Sequence, residues 1–178
     1  GINLEQIPTC LRRMEDLLLS FPEAIRCDCL CSSEEALQKL QVEVPDFVKQ
    51  RMNVHFHLQG ENLAHQFNQI ISEGNDSCIL CDDLHLAYPV CILAAPLLKH
   101  RRDLVFARIV DGEQSIPTSL IDLLTGQFPE HNLAFFKKDW ERMNGFDTAF
   151  AQENCLWDFC LSCAASGEAG IERIPADL

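Results

Sequence analysis

The segment "SCILCDDLHL" places two carboxylates, Asp82 and Asp83, directly after an apolar run that reads as a strand. Acids at the carboxyl end of a strand can hold a divalent cation that bridges to the oxygens of a diphosphate. An Asp pair at a strand-to-loop junction is also ordinary turn chemistry. The ten cysteines are a second reactive set: Cys10, Cys27, Cys29, Cys31, Cys78, Cys81, Cys91, Cys155, Cys160 and Cys163. The C-x-x-C pairs at 78/81 and 160/163 have enough thiols for a zinc site, but positions three apart on a strand point to opposite faces. A disulfide framework suits small secreted chains, so the expectation is reduced cysteines packed as small hydrophobes, without zinc. His55 and His57 alternate with Val54, Phe56 and Leu58 and so share one strand face. With no further ligand nearby in sequence, they read as partly solvated strand residues rather than metal ligands. Lys99, His100, Arg101 and Arg102 could hold a phosphate, and read more simply as cations opposing a helix dipole.

Helices and strands in alternation must position these groups. "LEQIPTCLRRMEDLLLSF" puts Ile7, Leu11, Met14, Leu17 and Leu18 at helical spacing, and Pro22 follows. A short apolar "AIRCDCLC" follows, then "SSEEALQKLQ" as a helix capped by Ser32 or Ser33. "NVHFHLQ" has the period of a strand, "NLAHQFNQIISEG" of a helix ending at Gly74, and "SCILC" of a buried strand. Pro89 to His100 reads as a helix, "DLVFARIVDG" as a strand and "SIPTSLIDLLTGQF" as a short helix. "HNLAFFKKDWERMNGF" reads as a strand feeding a helix that stops at Gly145, and "CLWDFCLSCAASG" as a last helix ended by Gly167. Apolar strands alternating with helices predict an α/β fold with a mostly parallel sheet covered by helices on both faces.

At 178 residues the chain suits a single domain with one substantial core. A net charge of −13 argues against nucleic acid as a partner, because such binding needs basic surface to release counterions. A divalent cation could still recruit a phosphorylated small molecule to so acidic a surface. The sequence holds no apolar run long enough for a transmembrane segment and no signal-peptide pattern at its start, so the expected location is cytoplasmic.

Two segments carry a resemblance. "NVHFHLQGENLAHQFNQIISEGNDSCILCDDLHLAYPVCILAAPLLKH" resembles the central segment of inverting glycosyltransferases with the GT-A, Rossmann-like nucleotide-diphospho-sugar transferase fold. Asn62, Leu63 and Asn68 match, Ala64 replaces a glycine, and "CDD" falls on the acidic Asp-x-Asp metal motif. "HNLAFFKKDWERMNGFDTAF" resembles the family's lead into Gly-Gly-Phe-Asp-Glu and an aromatic: Asn144 replaces the first glycine, Gly145, Phe146 and Asp147 match, and Phe150 supplies the aromatic.

The resemblance implies an enzyme that moves a sugar from a nucleotide-diphosphate donor to a hydroxyl acceptor of unknown identity. Asp83 would hold Mn2+ or Mg2+, and Asp28, Asn62, Asn68 and Asp82 would contact the nucleotide sugar. The family's Glu-Asp pair, one acid of which deprotonates the acceptor, falls on Cys155 and Leu156, leaving Asp158 and Glu153 as candidate bases. On this reading, restoring both acids should raise transfer. The alternative implied by the same departure is a catalytically inactive glycosyltransferase-like domain that binds a nucleotide sugar or another protein. "GIN" falls just after the family's first strand, so the expected domain, residues 1–178, lacks that strand, and "GIERIPADL" resembles its last.

Overall fold

The computed structural model describes residues 1–21, 25–75, 78–82, 84, 104–108, 116–117, 124, 132–150, 154–167 and 171–175. The chain divides into two compact units, Gly1–Glu61 with Asp83–Cys91, and Asn62–Asp82 with Ile92–Leu178.

In the first unit a short turn, Leu4–Gln6, leads into α1 (Ile7–Ser20), followed by β1 (Ile25–Cys31), α2 (Glu34–Glu43), α3 (Asp46–Arg51) and β2 (Met52–Leu58). β1 and β2 pair in parallel, with Ile25 opposite Met52 and Cys31 opposite Leu58. Alternation along each strand sends Cys29, Cys31 and Met52 into a core with Ile7, Cys10, Met14 and Leu18 of α1 and Ala36 and Leu40 of α2. Ile2 bridges Cys31 in parallel, its amide donating to the Leu30 carbonyl at 2.7 Å. α3 follows Pro45, whose fixed φ suits a helix start. Ser33, in extended conformation, caps α2 by accepting the Ala36 amide at 3.2 Å. Ser33→Ala is therefore expected to cost about 1 kcal/mol, measured as a lower urea midpoint at unchanged slope.

The second unit contains α4 (Leu63–Glu73), β3 (Cys78–Cys81), β4 (Leu104–Arg108), β5 (Ile116–Pro117), β6 (Leu133–Phe136), α5 (Lys137–Arg142), α6 (Cys155–Ser166) and β7 (Ile171–Pro175). Its strands lie in the order β3-β6-β4-β7-β5. The α/β class expected from the sequence holds. The mostly parallel sheet does not hold among the described strands: β1–β2 and β4–β7 pair in parallel, whereas β3–β6, β4–β6 and β5–β7 are antiparallel. Burial patterns along a strand carry no sign of its direction, so this mixture could not be read from periodicity. Ile116–Pro117 is strand rather than the start of a helix. The expected helix from 89 to 100 and the basic residues 99–102 lie outside the described residues.

The core of this unit forms where β6 and α6 meet. Leu133, Ala134 and Phe135 are buried on β6, and Cys155, Phe159, Cys160 and Cys163 on α6. Phe159 sits 5.0 Å, centroid to centroid, from Phe135 and 5.1 Å from Phe146. Glycines close both helices as expected: Gly145 follows α5 with φ +82° and Gly167 follows α6 with φ +70°, conformations that cost glycine little.

Candidate active site

Of the groups the sequence singled out, Cys81, Asp82, Cys155 and Asp158 lie in the second unit, at the end of β3 and in the first turns of α6. Cys81 and Asp82 stand at the end of β3. Cys81 packs against the core that holds Cys155, and burial first, then the neighbouring Cys155 and Asp82, push its thiol up to about 12. Ile79 packs on the same core, so Cys78 points to the opposite face, as expected for positions three apart on a strand. Among the described residues no cysteine forms a disulfide.

Asp158 is half-buried in α6, and its amide donates to the Asn154 carbonyl at 2.9 Å. Burial, and then the nearby Asp147 carboxylate, hold the Asp158 carboxyl above the usual carboxylate range. Asp147 is exposed, and its Oδ1 accepts the Ala149 amide at 2.8 Å, folding the loop back on itself. Cys155 is 0% exposed, and burial, opposed by backbone N–H groups and reinforced by Asp158, raises its thiol. At neutral pH Cys155 is an uncharged core residue. Leu156 packs against the same core.

The two Asn residues matched on α4 reach this loop. Asn62 caps α4, its Oδ1 accepting the His65 amide at 2.9 Å, and its Nδ2 donates to the Thr148 carbonyl at 3.0 Å. Asn68 Oδ1 accepts from Phe146 N at 2.8 Å and from Trp140 Nε1 at 3.1 Å, while its Nδ2 donates to the Phe146 carbonyl at 2.8 Å. The two matched segments thus meet as one hydrogen-bonded assembly.

Asp28 lies within β1 of the first unit. Arg26 grips it with two bonds, 2.8 and 3.0 Å, and His57 Nε2 lies 2.9 Å from its Oδ1. His55 and His57 do share a face, their rings stacked 6.4 Å apart. Asp83 and Glu153 lie outside the described residues. Among the described residues no group of three or more His, Cys, Asp or Glu side chains could hold a metal ion. At the metal motif the described donors are the Asp82 carboxylate and the neutral Cys81 thiol, a set that fits a hard cation only if Asp83, the donor's phosphates and water complete it. Two contributors went unnamed from the sequence as site residues: Asp147, which stood inside the matched motif, and Trp140.

The described geometry has a counterpart among solved structures. The crystal structure of S. aureus TarS 1-349, a glycosyltransferase, is similar over 94% of this chain at 14% identity, with a TM-score of 0.57. The fold is glycosyltransferase-like. The chain spans about half of that structure, 55% of its length. No protein-family model matches the sequence, and neither does any curated protein. No helix among the described residues is long and apolar enough to cross a membrane.

Proposed function

We propose that the chain is a glycosyltransferase domain of GT-A type that passes a sugar from a nucleotide-diphosphate donor to a hydroxyl acceptor, with Asp158 as the base. The carrying observation is the Asp158 carboxylate itself, half-exposed and raised in pKa by burial and by Asp147. A base whose pKa is lifted toward the working pH takes a hydroxyl proton with more driving force. Glu153, in the same segment, is the alternative base. A cation held by Asp83 and Asp82 would neutralise charge on the departing diphosphate. It would also offset the repulsion between an anionic donor and a chain of net charge −13.

A second reading, a nucleotide-sugar-binding domain without catalysis, is favoured by Cys155. The family's acid pair falls on this buried thiol and on the apolar Leu156. Calorimetry with UDP- and GDP-sugars, with and without Mn2+, coupled to a transfer or hydrolysis assay, separates the two: binding with turnover supports the enzyme, binding alone the second reading. Asp83→Ala is expected to remove the dependence of donor affinity on Mn2+ and to leave thermal unfolding unchanged. Equal Mn2+-dependent affinity in the variant would overturn the metal assignment.

A further inference from the structure

α4 turns an apolar stripe toward the core of its unit, with Ala64 and Ile71 buried and Phe67 packed between them. Asn68 falls in the same stripe, four residues from Ala64 and three from Ile71. Asn68 is half-buried there, and its polar atoms are bonded within the protein. Its partners lie on α5, at Trp140, and on the segment that joins α5 to the acidic loop, at Phe146. Oδ1 receives two N–H groups, Nδ2 serves the Phe146 carbonyl, and only one amide hydrogen is left for anything else.

The backbone it grips is an unusual one. Asn144 and Gly145 take successive positive φ values of +61° and +82°. A Cβ on Gly145 would stand 2.7 Å from Asn68 Oδ1, so glycine is required there by conformation and by the closeness of Asn68. Beyond this turn the Phe146 ring lies 5.1 Å from Phe159 and 5.9 Å from Phe67. Phe146 precedes Asp147, and Phe159 follows Asp158. Fixing Phe146 therefore fixes which part of α6 the Asp147 carboxylate faces.

We propose that Asn68 is a positioning residue: its hydrogen bonds clamp the Asn144–Phe146 turn and thereby hold the Asp147 carboxylate beside Asp158. The functional consequence rests on the glycosyl-transfer reading, in which Asp158 is the base. The structural part does not. On this assignment Asn68 acts on the reaction through the loop rather than by touching the donor.

The test reads the Asp158 carboxyl by carbon-13 NMR titration in the protein without donor, with hydrogen exchange of the Phe146 amide alongside. Among the described residues, Asp147 on the loop and Cys155 on the same helix are the titratable groups that bear on it. In Asn68→Ala the Phe146 amide is expected to lose protection, and the Asp158 midpoint to move down toward an ordinary carboxylate as Asp147 drifts away. Trp140→Phe removes one donor and leaves both bonds to Phe146, so Asp158 should titrate as in wild type. If Asn68→Ala does not fold, Asn68→Leu, which keeps the size of the side chain and removes every bond to the turn without adding a charge, carries the same comparison. A folded Asn68 variant with lower thermal stability but an unmoved Asp158 midpoint would overturn the proposal and leave Asn68 a packing residue. Where transfer is observed, the variant should lower kcat with little change in donor KM. Absence of transfer in wild type would count against the proposed activity and leave the titration result standing.

Discussion

Glutamate in place of Cys155 is expected to destabilise the unit that contains it by roughly 3 to 5 kcal/mol, the cost of an uncompensated buried charge, and to restore no transfer. The sequence suggested the opposite, because the family's acid pair falls on Cys155 and Leu156. The structure puts Cys155 in the core with 0% exposure, beside Phe159, Cys160 and Cys163. A carboxylate there would have to ionise in apolar surroundings or stay protonated, and in neither form would it be a base in contact with an acceptor. Against a total stability of roughly 5 to 15 kcal/mol for a domain, such a loss is visible directly in urea denaturation. Leu156→Asp, at a half-buried position, should cost less. Wild-type stability in Cys155→Glu would mean that this end of α6 admits a solvated carboxylate, and the buried-thiol description would be wrong.

How much of this was legible beforehand differs by residue. α6 was readable as a helix from its apolar run and its closing Gly167, yet the inward face of Cys155 follows only from the spacing of Cys155, Phe159, Cys160 and Cys163 once that face is known. Its hydrophobic residues occupy so much of the circumference that periodicity alone does not choose a face. The replacement of a glycine by Asn144 was readable as a departure. The structure shows why it keeps the turn: φ is +61°, and asparagine is among the non-glycine residues that tolerate that region best. Asn68 carried a second signal beside its match to the family motif. A polar residue in the apolar register of an amphipathic helix marks an internal tie, and the bonds to Phe146 and Trp140 supply it. Strand direction was the part least available. Whether β6 runs with or against its neighbours depends on connections that side-chain patterns do not encode. Asp147 shows the converse, since it stood in a quoted motif, and its bearing on Asp158 appears only when the loop after α5 is folded back against α6.

Asp158→Asn is expected to abolish most transfer, by about 10²- to 10⁴-fold for the loss of a positioned base, and to stabilise the fold at neutral pH. The two effects share a cause. Burial and Asp147 raise the Asp158 carboxyl in the folded protein above its value in the unfolded chain, so the native state holds this proton more tightly than the unfolded state does. Stability linked to the group is then fully present below the ordinary carboxylate pKa and is lost as pH rises through the folded value. Above the folded value the ionised side chain opposes folding, and a neutral asparagine of the same shape removes that opposition. Transfer runs the other way, rising with pH as the base ionises. Asp147→Asn removes the facing charge, so it should move the acid limb of the rate profile to lower pH while retaining much of the maximal rate. Thermal unfolding at pH 4 and pH 7 beside a pH–rate series in both variants checks each direction. An Asp158→Asn protein with wild-type turnover would take the base away from Asp158 and return it to Glu153, and an acid limb unmoved by Asp147→Asn would mean that the two carboxylates do not interact.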